Sequence, residues 1–215
     1  GLHWIGHSMG GMIGYASMIT FDQRIFRSAV TLGAPLFTST SDVSGDTLRL
    51  VGEVMRYTPW MLYRYSGQVF KIFPKSMMKV TPRSVINSDN VDVDVMLKVI
   101  PPMLEHIPGR LIRQFAEWTD GANGFSRGDG LLAYWEHFSR IKTPLLLISG
   151  SMDALLPTND LKKAFDTVSS KDKDLIICSK ARGFSADYGH ADLLLGKNAR
   201  EEVYPHISNW IESHS

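Results

Sequence analysis

Apolar and polar positions follow two rhythms along this chain. Short runs at Leu2–Ile5, Ser28–Leu32, Leu145–Ser149 and Asp174–Ser179 have strand length and little polar interruption. Runs of that kind suit strands covered on both faces. Between and after them the apolar positions recur at helical spacing. That spacing predicts helices over Met9–Ile19, over Thr158–Val168 behind Pro157, and over Lys197–Glu212. In the last of these, Ala199, Val203, Ile207, Trp210 and Ile211 fall on one stripe. Strands alternating with helices predict an α/β fold, a mostly parallel sheet with flanking helices.

The middle of the chain breaks this rhythm. From Leu36 to Lys142 it is rich in Met and aromatic residues, and Pro59, Pro74, Pro82, Pro101, Pro102 and Pro108 cut it into pieces. Short helices are expected at Thr47–Tyr57, Ser66–Phe73, Val93–Val99, Gly109–Trp118 and Leu131–Phe138. The organisation expected is therefore a core made of residues 1–35 and 143–215, with residues 36–142 inserted as a helical cap or lid.

Composition narrows the function classes. With 44% hydrophobic and 21% charged residues the chain is that of an ordinary globular protein. A formal net charge of +1 offers no global basic field, so no nucleic-acid partner is expected. The single cysteine, Cys178, sits in an apolar run and reads as a buried hydrophobe. No apolar stretch approaches the ~18 residues of a membrane span. Together these point to a cytoplasmic location. Within the insertion, seven Lys and Arg residues between Arg49 and Arg83 face one acid, Glu53, and are interleaved with Trp60, Tyr63, Tyr65, Phe70, Phe73, Met77 and Met78. That reads as a solvated basic face over a Met-rich acyl pocket, with contact to anionic lipid as the sharper alternative.

The chemistry is carried by Gly6-His7-Ser8-Met9-Gly10, a G-x-S-x-G pentapeptide between a strand and a helix. A nucleophilic serine needs a sharp turn that lifts its hydroxyl above the sheet, and glycines two residues to either side let strand and helix pass closely. The backbone N–H of Met9 then faces a developing oxyanion, at the positive end of the helix. A nucleophile of this kind is followed along the chain by an acid and then a histidine. Asp153 stands just past the third strand and His190 in the loop after the fourth, with Asp187 and Asp192 as alternatives to Asp153. Asp192 is otherwise expected to cap the segment after His190. His7 is expected to pack or hydrogen-bond beside the nucleophile. His3, His106, His137, His206 and His214 lack metal-ligand spacing, and neither metal nor cofactor is expected.

On these residues the chain resembles the α/β-hydrolase superfamily, over residues 2–35 and 144–213. Gly-His-Ser-Met-Gly-Gly is a common esterase and lipase elbow. The tail Gly189-His190-Ala191-Asp192-Leu193-Leu194-Leu195-Gly196 is similar to those of acid-lipase-like and polyhydroxyalkanoate-synthase-like hydrolases. The polyester synthases carry Cys where this chain has Ser8, a departure that favours hydrolysis. The resemblance implies a serine carboxylic-ester hydrolase in which Ser8 attacks, His190 relays the proton and Asp153 orients the imidazole. An acyltransferase or thioesterase with the same triad, or a weakly active domain serving assembly, are the alternatives. Because the chain opens on a strand, earlier strands and the second oxyanion donor of the fold are expected to be missing. A first strand left bare on one edge is expected to pair with a second copy or with a separate N-terminal fragment.

Overall fold

A four-stranded parallel sheet organises the protein, with β1 (Leu2–His7), β2 (Phe26–Leu32), β3 (Leu145–Gly150) and β4 (Lys173–Cys178) side by side in chain order. The computed structural model describes residues 1–36, 85–103 and 124–215, with residues 72, 81, 83, 111, 114, 117 and 118 as single positions. The strands coincide with the apolar runs, and β1 runs two residues beyond Ile5 because Gly6 and His7 stay in register with Thr31 and Leu32.

The pleat divides each run between two cores. Ala29, Leu145 and Leu147 face α1 (Met9–Thr20) and α3 (Thr158–Thr167), packing with Met12, Tyr15, Met18, Leu161 and Ala164. Val30, Leu32, Leu146 and Ile148 face the other side, against Tyr188, Leu193 and Val203. Two-sided covering is why these runs carry so few polar residues. The polar side chain of Thr31 stays in the core because it is hydrogen-bonded to the Tyr15 hydroxyl at 2.7 Å. At the β1 edge, Leu2 and Ile5 are exposed.

Three local expectations differ from what is seen. The last helix is interrupted: α4 (Asp192–Leu195) and α5 (Ala199–Glu202) are short, and α6 (Tyr204–Ser213) restarts after Val203. Pro205 explains the break, since it has no N–H to donate back into the preceding turn and is tolerated only in a first turn. The stripe of Ala199, Val203, Ile207 and Trp210 still packs on one core. Residues Tyr134–Arg140 form a 3₁₀ helix where an α-helix over Leu131–Phe138 is expected. α2 (Val93–Met103) runs on through Pro101 and Pro102 to end one residue later. Apart from single positions, the expected helices at 47–57, 66–73 and 109–118 and the basic stretch at 49–83 lie outside the described residues. Among the described residues, no helix is long and apolar enough to cross a membrane.

Candidate active site

The C-terminal ends of β1, β2 and β3 meet the loop after β4, and that junction carries the candidate residues. Ser8 occupies the one-residue turn between β1 and α1 with φ 55° and ψ −123°, and it alone among the described non-glycine residues has positive φ. For a residue with a Cβ this conformation is strained by about 1–3 kcal/mol. Three backbone contacts hold the turn: the Ser8 N–H donates to the Leu32 carbonyl at 2.8 Å, and the Ser8 carbonyl accepts from the N–H groups of Gly11 and Met12 at 3.0 and 3.2 Å.

The glycines around it divide the work differently from the sequence expectation. A Cβ on Gly6 would fall on the backbone of Gly10, and a Cβ on Gly11 would collide with the Ala34 methyl, whereas a Cβ on Gly10 would meet nothing within 4 Å. Gly6 and Gly11 therefore permit the close passage of strand and helix, and Gly10 contributes only its bare backbone. The Trp4 indole N–H also donates to the Gly10 carbonyl at 3.0 Å, tying β1 to the helix start.

Ser8, His190 and Asp153 form one hydrogen-bonded line. The His190 Nε2 lies 2.8 Å from the Ser8 hydroxyl, and its Nδ1 lies 2.9 Å from Asp153 Oδ2. With a carboxylate as acceptor, Nδ1 carries the proton, so Nε2 presents its lone pair to the hydroxyl. Asp153 is fully buried at its side chain. Its other oxygen, Oδ1, accepts the N–H groups of Leu155 and Leu156 at 2.9 and 3.1 Å. Those bonds fix the carboxylate plane before His190 adds its own. The alternative acids are engaged elsewhere. Asp187 accepts from the Lys180 N–H and the Ser151 hydroxyl, and Asp192 accepts from the Gly189 N–H and the Asn90 amide.

His7 packs against this line. Its Nε2–H donates to the His190 carbonyl at 2.9 Å, and the two rings stand 4.8 Å apart. Burial, and secondarily the neighbouring His190, lowers the His7 pKa from 6.5 to about 4, so the ring is neutral near neutral pH. Met9 opens α1, where helix N–H groups lack intrahelical acceptors, and the first turn carries no acidic side chain to compensate the helix dipole. Anionic charge beside Met9 N–H is favoured by both. Among the described residues no group of three or more His, Cys, Asp and Glu is gathered to hold a metal ion.

Gly33, just past the end of β2, is a residue of this site that the sequence analysis does not single out. It has φ 52°, and a Cβ there would lie 2.8 Å from Asp153 Oδ2 and 3.0 Å from His190 Nδ1. Only glycine leaves room for that hydrogen bond. The Gly-Ala-Pro sequence marks a strand end, but no local signal connects Gly33 to residues 120 and 157 positions away. Gly150 has a similar role against the backbone of Tyr188, which lets the His190 loop settle on the end of β3.

The chain matches no protein-family model and no curated protein. Solved structures do resemble it. An esterase from Exiguobacterium antarcticum aligns over 97% of this chain and 65% of its own length, at 13% identity and TM-score 0.60. The monoacylglycerol lipase of Paleococcus ferrophilus aligns over 99% of this chain and 68% of its own, at 19% identity and TM-score 0.56. A hydrolase from Oleispira antarctica aligns over 98% and 64%, at 14% identity and TM-score 0.58. The chain thus spans about two thirds of the length of these structures. It has the α/β-hydrolase fold.

Proposed function

We propose that this protein of α/β-hydrolase fold is a serine hydrolase of acyl esters, with Ser8 as nucleophile, His190 as general base and acid, and Asp153 as the residue that orients His190. The observation that carries the reading is the unbroken line from the Ser8 hydroxyl through both nitrogens of His190 to Asp153.

In the proposed reaction the Ser8 oxygen attacks the ester carbonyl carbon as its proton passes to His190 Nε2. The carbonyl oxygen becomes an oxyanion facing the Met9 N–H, at the positive end of α1. Collapse breaks the bond to the alkoxy oxygen, which takes the proton from Nε2 and leaves as the alcohol. Water then enters, gives its proton to the same nitrogen and attacks the acyl-enzyme, and the acid leaves as Ser8 recovers its hydrogen. The Asp153 carboxylate stabilises the imidazolium formed twice in the cycle. Esters as the substrate class are supported by the solved structures of this fold that are named esterase and monoacylglycerol lipase.

A fluorophosphonate probe tests the reading directly, because it phosphonylates only an activated serine. Labelling of the natural-length protein that disappears in Ser8→Ala is the expected result. A folded protein that neither labels nor hydrolyses p-nitrophenyl esters would overturn it. An acyl-enzyme that passes to an added alcohol faster than to water would turn the assignment towards acyl transfer.

A further inference from the structure

Two residues beyond His190 lies a second buried carboxylate that the proposed reaction does not use. Asp192 has no exposed surface. Its Oδ1 and Oδ2 both lie 3.0 Å from the Gly189 nitrogen, Oδ1 also accepts from the Asn87 N–H at 3.3 Å, and Oδ2 accepts from Asn90 Nδ2 at 2.9 Å. These four contacts come from neutral N–H groups. Burying an ionised carboxylate is costly unless it is closely hydrogen-bonded. Burial accordingly pushes the Asp192 pKa upward, while the bonds from Asn90, Gly189 and Asn87 pull it back.

The contacts converge on the backbone on both sides of His190. The Gly189 N–H is held by Asp192, and the Ala191 N–H donates to the Val85 carbonyl at 2.8 Å. The same stretch of chain, residues 85–91, is fastened again where Asn87 Nδ2 donates to the Asp187 carbonyl at 2.9 Å and the Lys197 N–H donates to the Asn90 carbonyl at 2.7 Å. An antiparallel bridge joins Val91 to Gly196. His190 therefore hangs between two anchored amides, with its own carbonyl held by His7.

We infer that Asp192 is a positioning residue for His190: its buried carboxylate, shared between the Gly189 amide and the Asn87–Asn90 loop, sets where the imidazole stands between Ser8 and Asp153. The inference rests on the hydrolase reading above. Its chemistry is reciprocal. Both oxygens at 192 face N–H donors. Asp192→Asn therefore puts an NH₂ group beside the Gly189 N–H whichever way its amide is turned, even where the Asn90 amide flips to accept it, and Asn90→Asp sets two carboxylates together. Exchanging both restores one donor and one acceptor, and leaves an amide oxygen at 192 for Gly189.

The test compares D192N, N90D and the double exchange in the natural-length protein, with p-nitrophenyl esters as substrate and folding checked by circular dichroism. D192N should lower kcat by about ten- to a hundredfold, since small misplacements of a catalytic group cost that much. KM should change little, and the acidic limb of the kcat/KM profile should move to lower pH as His190 loses its hold on Asp153. N90D should also lose activity, and the double exchange should recover most of the loss. A folded D192N with the parental kcat and pH profile would overturn the inference, and so would a double exchange no better than D192N. Should D192N not fold, Asn90→Ser deletes the amide donor while keeping the carboxylate. A reduced kcat with a shifted profile supports the inference, and an unchanged pair overturns it. Failure of the parent protein to label with fluorophosphonate would instead sink the hydrolase reading, and this inference with it.

Discussion

His7 is joined to His190 by a hydrogen bond from its ring to the backbone carbonyl, made with the ring held neutral by burial. The His7 Nε2–H donates to the His190 carbonyl at 2.9 Å, with the rings 4.8 Å apart. A second proton on His7 would place a cation beside the ring that, in the proposed reaction, becomes cationic as Ser8 gives up its proton. Desolvation prevents this by lowering the His7 pKa to about 4. The contact also ties the His190 loop to the end of β1, across 183 residues of sequence.

That shift has a sign for stability. The unfolded chain binds a proton on His7 near pH 6.5, and the folded protein not until about pH 4. Between those values the unfolded state holds more protons, so stability rises with pH, and acidification from 6.5 towards 4 costs the fold up to roughly 3 kcal/mol from this group. His7→Gln keeps an N–H donor for the His190 carbonyl but does not titrate. Urea midpoints measured from pH 7 to pH 4 should therefore fall less steeply in His7→Gln than in the parent. Equal slopes would mean that His7 is accessible to protons in the fold.

The strain at Ser8 predicts a trade between stability and activity. Both Ser8→Ala and Ser8→Gly remove the nucleophile, and each should reduce kcat by roughly 10³–10⁶-fold. They differ in backbone. At φ 55° and ψ −123° a residue with a Cβ is disfavoured by about 1–3 kcal/mol, and glycine is not. Ser8→Gly should be the more stable of the two by about that amount in chemical denaturation. Equal stabilities would show that the surrounding contacts, not the dihedral, set the energy of the turn.

The acid is tested by comparing Asp153 with Asp187. Asp153→Asn keeps the shape but loses the charge that holds the Nδ1–H tautomer, and a loss of about 10⁴ in kcat is the scale for that change in a serine triad. Asp187 binds the Lys180 amide and the Ser151 hydroxyl instead. Asp187→Asn should stay within about tenfold of the parent, the cost of a loop contact and not of a triad member. Kinetics that reverse this order would move the acid to Asp187.

Much of the fold is legible in the sequence because its strands are covered on both faces. Leu145–Ile148 announces itself as an uninterrupted apolar run and Ala29–Leu32 as one broken only by Thr31, and the elbow around Ser8 sits between a strand and a helix by local signals alone. Chain order suggests Ser8, Asp153 and His190 as candidates, and the fold sets their side chains within hydrogen-bond distance of one another. What the sequence hides is long-range. The restart of the last helix at Tyr204 is inferable from Pro205, but the helical stripe around it outweighs a single proline in a periodicity reading. Asp192 shows in sequence as an alternative to Asp153 or a cap for the segment after His190, not as a partner of Asn90. Its bond to Asn90 spans 102 residues, and no local pattern reports it.

Gly33 offers the sharpest separation of backbone strain from site geometry. Gly33→Ala places a methyl group where the His190–Asp153 hydrogen bond runs, 2.8 Å from Asp153 Oδ2, and also imposes an alanine at φ 52°. Gly183→Ala imposes an alanine at φ 90° but has open space around its new methyl. Both variants should be destabilised, by on the order of 1–2 kcal/mol each. Only Gly33→Ala should lose kcat, by about a hundredfold, because an imidazole displaced by an ångström or less no longer aligns with the Ser8 hydroxyl. Stopped assays at a temperature where both variants remain folded, paired with thermal melts, would read the two effects separately. A Gly33→Ala protein as active as Gly183→Ala would show that the His190–Asp153 pair yields to the methyl group without consequence, and that the room glycine leaves there is not needed for turnover.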